Sequence, residues 1–231
     1  MPSSDAHRPA RQAVLFDFSG TLFHIERAEA AVRAALGAEL TGHAPELERL
    51  GAINGSGQPA DLPEHLVQVW TDRDLSVAAH RAAYSGSARH AGLTDRQARL
   101  LYERGVSPAA WAPYPDTVQV LRRLRAAGVP TAVVSNIGWD PRPVFARWGV
   151  AELFDTLVLS YERGVIKPDP RIFELACQAL GVTPTDALMV GDNPDADGAA
   201  VAIGCRFVLV PSDAARPPDS LLKAVDSILS D

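Results

Sequence analysis

Four short stretches of this 231-residue sequence carry residues whose types suit chemistry on a phosphate ester. Asp17 follows the apolar run "AVLF" within "VLFDFSGTLF", and Ser135-Asn136 closes "TAVVSN". Lys167 lies in "YERGVIKPDP", while Asp192 and Asp197 lie in "GDNPDAD". Carboxylate oxygens suit a hard cation such as Mg²⁺, and a carboxylate can attack as a nucleophile. A lysine and a hydroxyl can neutralise phosphate oxygens. An ionised Asp17 at the end of a buried strand needs opposite charge against it. Each residue also has a plainer use: "DFSG" is good turn chemistry, and Asp192, Asp195 and Asp197 suit the start of a helix. Lys167 is one of two lysines against twenty arginines, so its retention is a further pointer.

The elements that must position these residues follow from apolar patterning. The runs at 13–16, 131–135, 156–160, 187–190 and 207–210 do not alternate polar with apolar, as expected of strands covered on both faces. Helical patterns separate the later runs. One spans 115–128, with Val118, Leu121, Leu124 and Arg125 at helical spacing and Gly128 at its end; another spans 169–181, from Pro170 to Gly181. This order predicts an α/β fold, a doubly wound parallel sheet, whose ligands bind at the carboxyl ends of the strands. The residues named above all fall at such ends. About 90 residues between Thr21 and Pro113 show no strand pattern, only helical stretches at 26–40, 62–86 and 94–105 and a Gly/Ser/Pro loop at 51–63. The expectation is a disordered tail over 1–12, a core of 13–23 and 113–231, and an inserted helical cap over 24–112. A closing helix is expected over "DSLLKAVDSILSD".

Together and in this order, the four stretches resemble the motifs of the haloacid dehalogenase superfamily, most of whose members are phosphatases. The resemblance runs from residue 13 to about residue 210 and reaches the cap only through its position and helicity. It implies that Asp17 is the nucleophile and becomes an aspartyl-phosphate. Mg²⁺ would be held by Asp17, Asp192 and the backbone carbonyl of Ser19, with Asp197 holding a metal-bound water or orienting Lys167. Thr21, Ser135 and the backbone N–H of Asn136 would line the phosphate, and Lys167 would pair with both phosphate and nucleophile.

Ser19 departs from the family pattern. The phosphatases usually carry a second aspartate two residues after the nucleophile, which protonates the leaving oxygen and then activates water. General acid–base assistance is worth roughly 10²–10⁴-fold in rate, and a serine hydroxyl cannot supply it near neutral pH. Three readings remain open. One is a slow or specialised phosphohydrolase, with an easy leaving group or another acid such as His24. Another is dehalogenase-like chemistry without metal, although the relatives that do this usually carry tyrosine at that position and lack the acid equivalent to Asp192. The third is a non-catalytic phosphate-binding module. Schiff-base chemistry from the cap is excluded, because no lysine lies between Thr21 and Pro113.

Bulk properties narrow the partners. A net charge of −6 leaves no basic footprint for nucleic acid or for a membrane surface. The start of the chain has no apolar core of a signal peptide, and no run is long enough to span a membrane. Cys177 and Cys205 suggest reduced packing residues rather than a disulfide framework. The expectation is a cytoplasmic monomer or weak homodimer acting on a small phosphorylated molecule. Arg33, Arg49, Arg73, Arg81 and Arg89 are candidates for a second anionic group, whereas His43, His65, His80 and His90 show no metal-ligand spacing.

Overall fold

The computed structural model describes residues 12–37, 62–212 and 216–230. Residues 1–11 of the predicted tail, 51–61 of the predicted loop, His43 and Arg49 lie outside the described residues. The main sheet has five parallel strands, β1 (Ala13–Phe16), β4 (Thr131–Ser135), β5 (Thr156–Leu159), β6 (Ala187–Gly191) and β7 (Arg206–Leu209). Their spatial order is β5-β4-β1-β6-β7. The chain thus leaves the central β1 first to one side and later to the other, and ligands bind where such a sheet reverses direction.

The absence of alternation in β1 has a direct cause. Val14 and Phe16 join one buried cluster and Ala13 and Leu15 join another, on opposite faces. The first cluster takes Val120, Leu121 and Leu124 from the helix Thr117–Ala126; the second takes Ile172, Phe173, Ala176 and Cys177 from Arg171–Leu180. Val120, rather than Val118, therefore sits on the fully buried stripe, and Arg125 instead points outward to pair with Asp155 at 3.0 Å. At the edge, β7 is only partly covered, unlike the doubly buried strand that its run suggested. The closing helix is broken as well, into Ser220–Ala224 and Asp226–Leu229. Cys177 and Cys205 are both free and buried.

The segment between Thr21 and Pro113 does contain strand, contrary to its patterning. β2 (Phe23–Ile25) pairs antiparallel with β3 (Trp111–Pro113) at the two ends of the insertion. Strands of three residues are too short to display a period. Between them run α1 (Ala28–Leu36), α2 (Glu64–Thr71), α3 (Val77–His90) and α4 (Asp95–Gly105). Val32, Leu36, Ala88, Leu93, Ala98 and Leu101 form a separate hydrophobic cluster there. Thr94 and Gln97 start α4 with a reciprocal capping box. The helical pattern at 62–86 is cut in two by the turn 72–76, where the Ser76 hydroxyl accepts from the Ala79 N–H at 3.1 Å and opens α3.

Candidate active site

Lys167 is the hub of the strand ends. Its Nζ lies 2.6 Å from Asp17 Oδ1 and 2.6 Å from Asp197 Oδ1, and donates to the Val134 carbonyl at 3.0 Å. All three ammonium hydrogens are thereby used, so the buried side chain has one orientation. Burial opposes its charge, but Asp17 and Asp197 outweigh that and hold the pKa above the ordinary lysine range. The backbone around it is clamped by Asn136, whose Nδ2 donates to the Lys167 carbonyl at 2.9 Å and whose Oδ1 accepts from the Lys167 N–H at 2.7 Å. The sequence pointed to the Asn136 backbone alone; the side chain has this second task. Asp197 accepts the Asn193 N–H on its other oxygen at 3.0 Å, so it is oriented before it orients Lys167.

Asp17, Asp192 and Asp197 each offer one carboxylate oxygen, all within 4.8 Å of one another. Three carboxylates face one ammonium, which leaves surplus negative charge in a buried place. Burial, then Asp197 and Asp192, push the Asp17 pKa up against the pull of Lys167. Burial is also the main cause that raises Asp192. Oxygen-only ligands with uncompensated charge are what a hard divalent cation needs, so these residues fit Mg²⁺. Gly20, at φ +86°, is required here twice over. Its backbone is left-handed, and a Cβ on it would run into the Asp192 carboxylate. Arg216, which sequence reasoning missed, stacks 3.7 Å from the Tyr114 ring centroid and donates to the Gly20 carbonyl at 3.0 Å. Thr21 is buried, and its hydroxyl lies 3.5 Å from Asp192 Oδ1, at the outer limit of a hydrogen bond.

Ser19, Ser135 and Asn136 open onto a cavity of about 130 Å³ between the sheet and the insertion. Phe18, Trp111 and Trp139 form an aromatic wall, with ring centroids 4.8 Å apart for Phe18–Trp111 and 5.6 Å for Trp111–Trp139. The insertion also supplies polar lining residues: Arg73, Asp74, His80, Tyr84 and Tyr102. His80 Nδ1 lies 3.2 Å from the Tyr102 hydroxyl, and burial together with Arg73 pushes its pKa down to about 3, so the imidazole is neutral. Burial raises Asp74, with Arg73 and Lys167 opposing it.

Of the arginines considered from sequence, Arg73 reaches the cavity. Arg81 lies over the Tyr102 ring at 4.9 Å, Arg89 pairs with Asp95 at 3.4 Å, and Arg33 is exposed. His24 is exposed, with its ring 5.1 Å from that of Tyr114, and does not line the cavity. Asp74 went unremarked in the sequence. The signal that could have found it is the cap-forming Ser76 two residues on, which marks a turn inside an otherwise continuous helical pattern.

The sequence model of a family described as haloacid dehalogenase-like hydrolase matches residues 12–204. A phosphoserine phosphatase of Thermus thermophilus is 40% identical over 114 residues, 46% of this chain and 45% of the relative, so the chain spans less than half of that protein. A glyceraldehyde 3-phosphate phosphatase of Methanopyrus kandleri is 31% identical over 199 residues, covering 80% of this chain and 77% of the relative. Relatives described as (S)-2-haloacid dehalogenases match as well. Among solved structures, the L-2-haloacid dehalogenase of Xanthobacter autotrophicus superposes with a TM-score of 0.60 at 24% identity, over 94% of this chain and 82% of that one, a likeness of fold.

Proposed function

The chain belongs to the haloacid dehalogenase-like hydrolase family, and we propose that within it this protein is a magnesium-dependent phosphohydrolase for a small phosphorylated metabolite. The observation that carries this reading is the surplus of charge at the strand ends, three carboxylates within 4.8 Å against a single ammonium. Asp17, Asp192 and the Ser19 carbonyl would hold the cation, with Asp197 behind them. When bound, the cation would neutralise phosphate oxygens and the charge that develops on them.

The chain's own residues do the rest. Asp17 attacks phosphorus and carries the phosphoryl group as an aspartyl-phosphate. Lys167, fixed by its three bonds, aims Asp17, opposes the upward push of burial on it, and presents positive charge to the phosphate. Ser135, Thr21 and the Asn136 N–H complete the phosphate cradle. The inserted helices act as a cap. They have their own hydrophobic cluster, they return through the β2–β3 pair, and Arg104 meets Glu26 at 2.5 and 2.6 Å beside that hinge.

One observation favours a second reading. Ser19 stands where a proton donor is expected, and a dehalogenase forming an ester on Asp17 needs neither a donor nor a metal. That reading leaves the half-buried Asp192 without a use. Parallel assays of phosphate release from small phosphate esters and of chloride release from a 2-chloroacid separate the two. Phosphate release that requires Mg²⁺, with Mg²⁺ affinity lost in Asp192→Asn by calorimetry, is the expected result. Chloride release that is indifferent to Mg²⁺ would overturn it.

A further inference from the structure

A phosphohydrolase needs a proton for its leaving oxygen, and Ser19 cannot give one. We propose that the insertion provides it: Asp74, on the turn between α2 and α3, donates the proton to the departing alcohol and afterwards takes one from the attacking water. This rests on the phosphohydrolase reading above.

Position is the first ground. Asp74 lines the same cavity as Ser19, Ser135 and Asn136, the space into which the alcohol part of an ester held at the strand ends would extend. Its turn is also pinned to the core. The Asp74 carbonyl accepts the Ser160 hydroxyl at 2.6 Å, and Ser160 directly follows β5. On the other side Gly138 lies so close to the turn that a Cβ there would meet the Arg73 carbonyl at 2.6 Å and also the His80 side chain. A catalytic acid needs this kind of support to be held in place.

Elimination is the second ground. Among the described residues, the titratable side chains lining the cavity are Arg73, Asp74, His80, Tyr84 and Tyr102. His80 is neutral down to about pH 3, and burial pushes Tyr84 up to about 12 and raises Tyr102 too. Neither kind of group exchanges a proton readily near neutral pH. Burial moves the Asp74 carboxyl upward, toward the range of a useful acid, although Arg73, Lys167 and the facing Tyr84 surround it. The pair with Arg73 is long, at 3.5 Å, because the guanidinium is engaged elsewhere. Its Nη1 donates to the Trp70 carbonyl at 2.8 Å, and it lies 5.0 Å from the Trp70 ring centroid.

The steps balance. An Asp17 oxygen bonds to phosphorus as the ester P–O bond breaks, and the leaving oxygen keeps that electron pair and takes the Asp74 proton, giving the free alcohol. A water oxygen then bonds to phosphorus while Asp74 takes one of its protons. The P–O bond to Asp17 breaks, returning the electrons to its carboxylate and releasing phosphate.

The test is Asp74→Asn, assayed on glycerol 1-phosphate, whose alcohol is a poor leaving group, and on 4-nitrophenyl phosphate, whose phenol leaves readily. Turnover of the alkyl ester should fall by roughly 10²-fold or more, within the ~10²–10⁴ range of acid–base assistance. Turnover of the aryl ester should fall only a few-fold. The alkyl-to-aryl ratio within one sample does not depend on how much of the variant folds. The unaltered protein should also lose alkyl turnover as pH rises through the Asp74 pKa, and the variant should lack that limb. An equal fall on both esters, no fall, or a surviving limb would overturn the proposal while leaving the phosphohydrolase reading intact. No phosphate release from either ester by the unaltered protein would overturn both.

Discussion

The charged cluster at the strand ends adjoins Ser135 and Asn136, which share a cavity with the polar residues of the insertion, and opposite charge is in contact in the first region and scarce in the second. At the strand ends, Lys167 is locked between Asp17 and Asp197 and keeps its charge against burial, while burial still pushes Asp17 upward against the pull of Lys167. In the insertion, burial wins: His80 loses its proton affinity and Asp74 gains. A low-dielectric site keeps ions only where opposite charge is in contact. On the reading proposed above, the strand ends would hold the charged phosphoryl group, and the insertion would meet the uncharged part of the substrate and move a proton.

Replacing the nucleophile should break this comparison most severely. Asp17→Asn should lower phosphate release by about 10⁴-fold or more, the scale seen when a covalent nucleophile is lost. Circular dichroism and thermal melting should stay close to those of the unaltered protein. A comparable loss from any single change in the insertion would mean that the division of labour is misassigned.

Removing the ammonium should be the largest blow to stability. Lys167→Met leaves Asp17 and Asp197 buried without the opposite charge that pairs them, and breaking a buried pair costs about 3–5 kcal/mol; urea denaturation gives the value. Gly138→Ala tests the contact between the two regions instead. The new methyl would press on the Arg73 carbonyl and His80, and overpacking of this kind costs about 1–3 kcal/mol.

The insertion should also sharpen the contrast through pH. The unfolded chain protonates His80 near its ordinary 6.5, whereas the folded chain resists until about 3. Between those values the unfolded state binds the extra proton, so stability falls as pH falls, by at most about 1.4 kcal/mol per pH unit from this group. His80→Gln should flatten that part of a urea-midpoint profile against pH. An unchanged slope would mean that His80 is charged in the folded protein. The smallest effect belongs to Ser19→Ala, which should alter phosphate release by less than about twofold, because only its backbone carbonyl is assigned a task. A large loss would give the hydroxyl a chemical role.

The two regions also differ in how far the sequence disclosed them. Strands buried on both faces leave unbroken apolar runs, and a parallel sheet sends the residue after each run to one edge, so Asp17, Ser135, Lys167 and Asp192 were legible together. What could not be read there was mutual geometry. The side-chain clamp of Asn136 on Lys167, and the reach of Arg216 to the Gly20 carbonyl, join residues 31 and 196 positions apart. In the insertion the signal was weaker throughout. β2 and β3 are too short for a period, and only His80 and Tyr84 share a helical spacing, while Arg73, Asp74 and Tyr102 join them from a turn and a second helix. Burial, which decides which of them are neutral, is a property of packing and leaves no mark in a local pattern.

The central claim is that Asp17 attacks phosphorus, and the fate of oxygen in a single turnover tests it most directly. The enzyme, in excess over 4-nitrophenyl phosphate and with Mg²⁺ present, is allowed to react in heavy-oxygen water and then acid-quenched. The Asp17 peptide and the released phosphate are weighed by mass spectrometry. The account predicts a transient phosphate adduct on Asp17, followed by heavy oxygen in the phosphate and none in the Asp17 carboxylate. Absence of the adduct, or heavy oxygen entering Asp17 during turnover of a 2-chloroacid with no phosphate released from the ester, would contradict it.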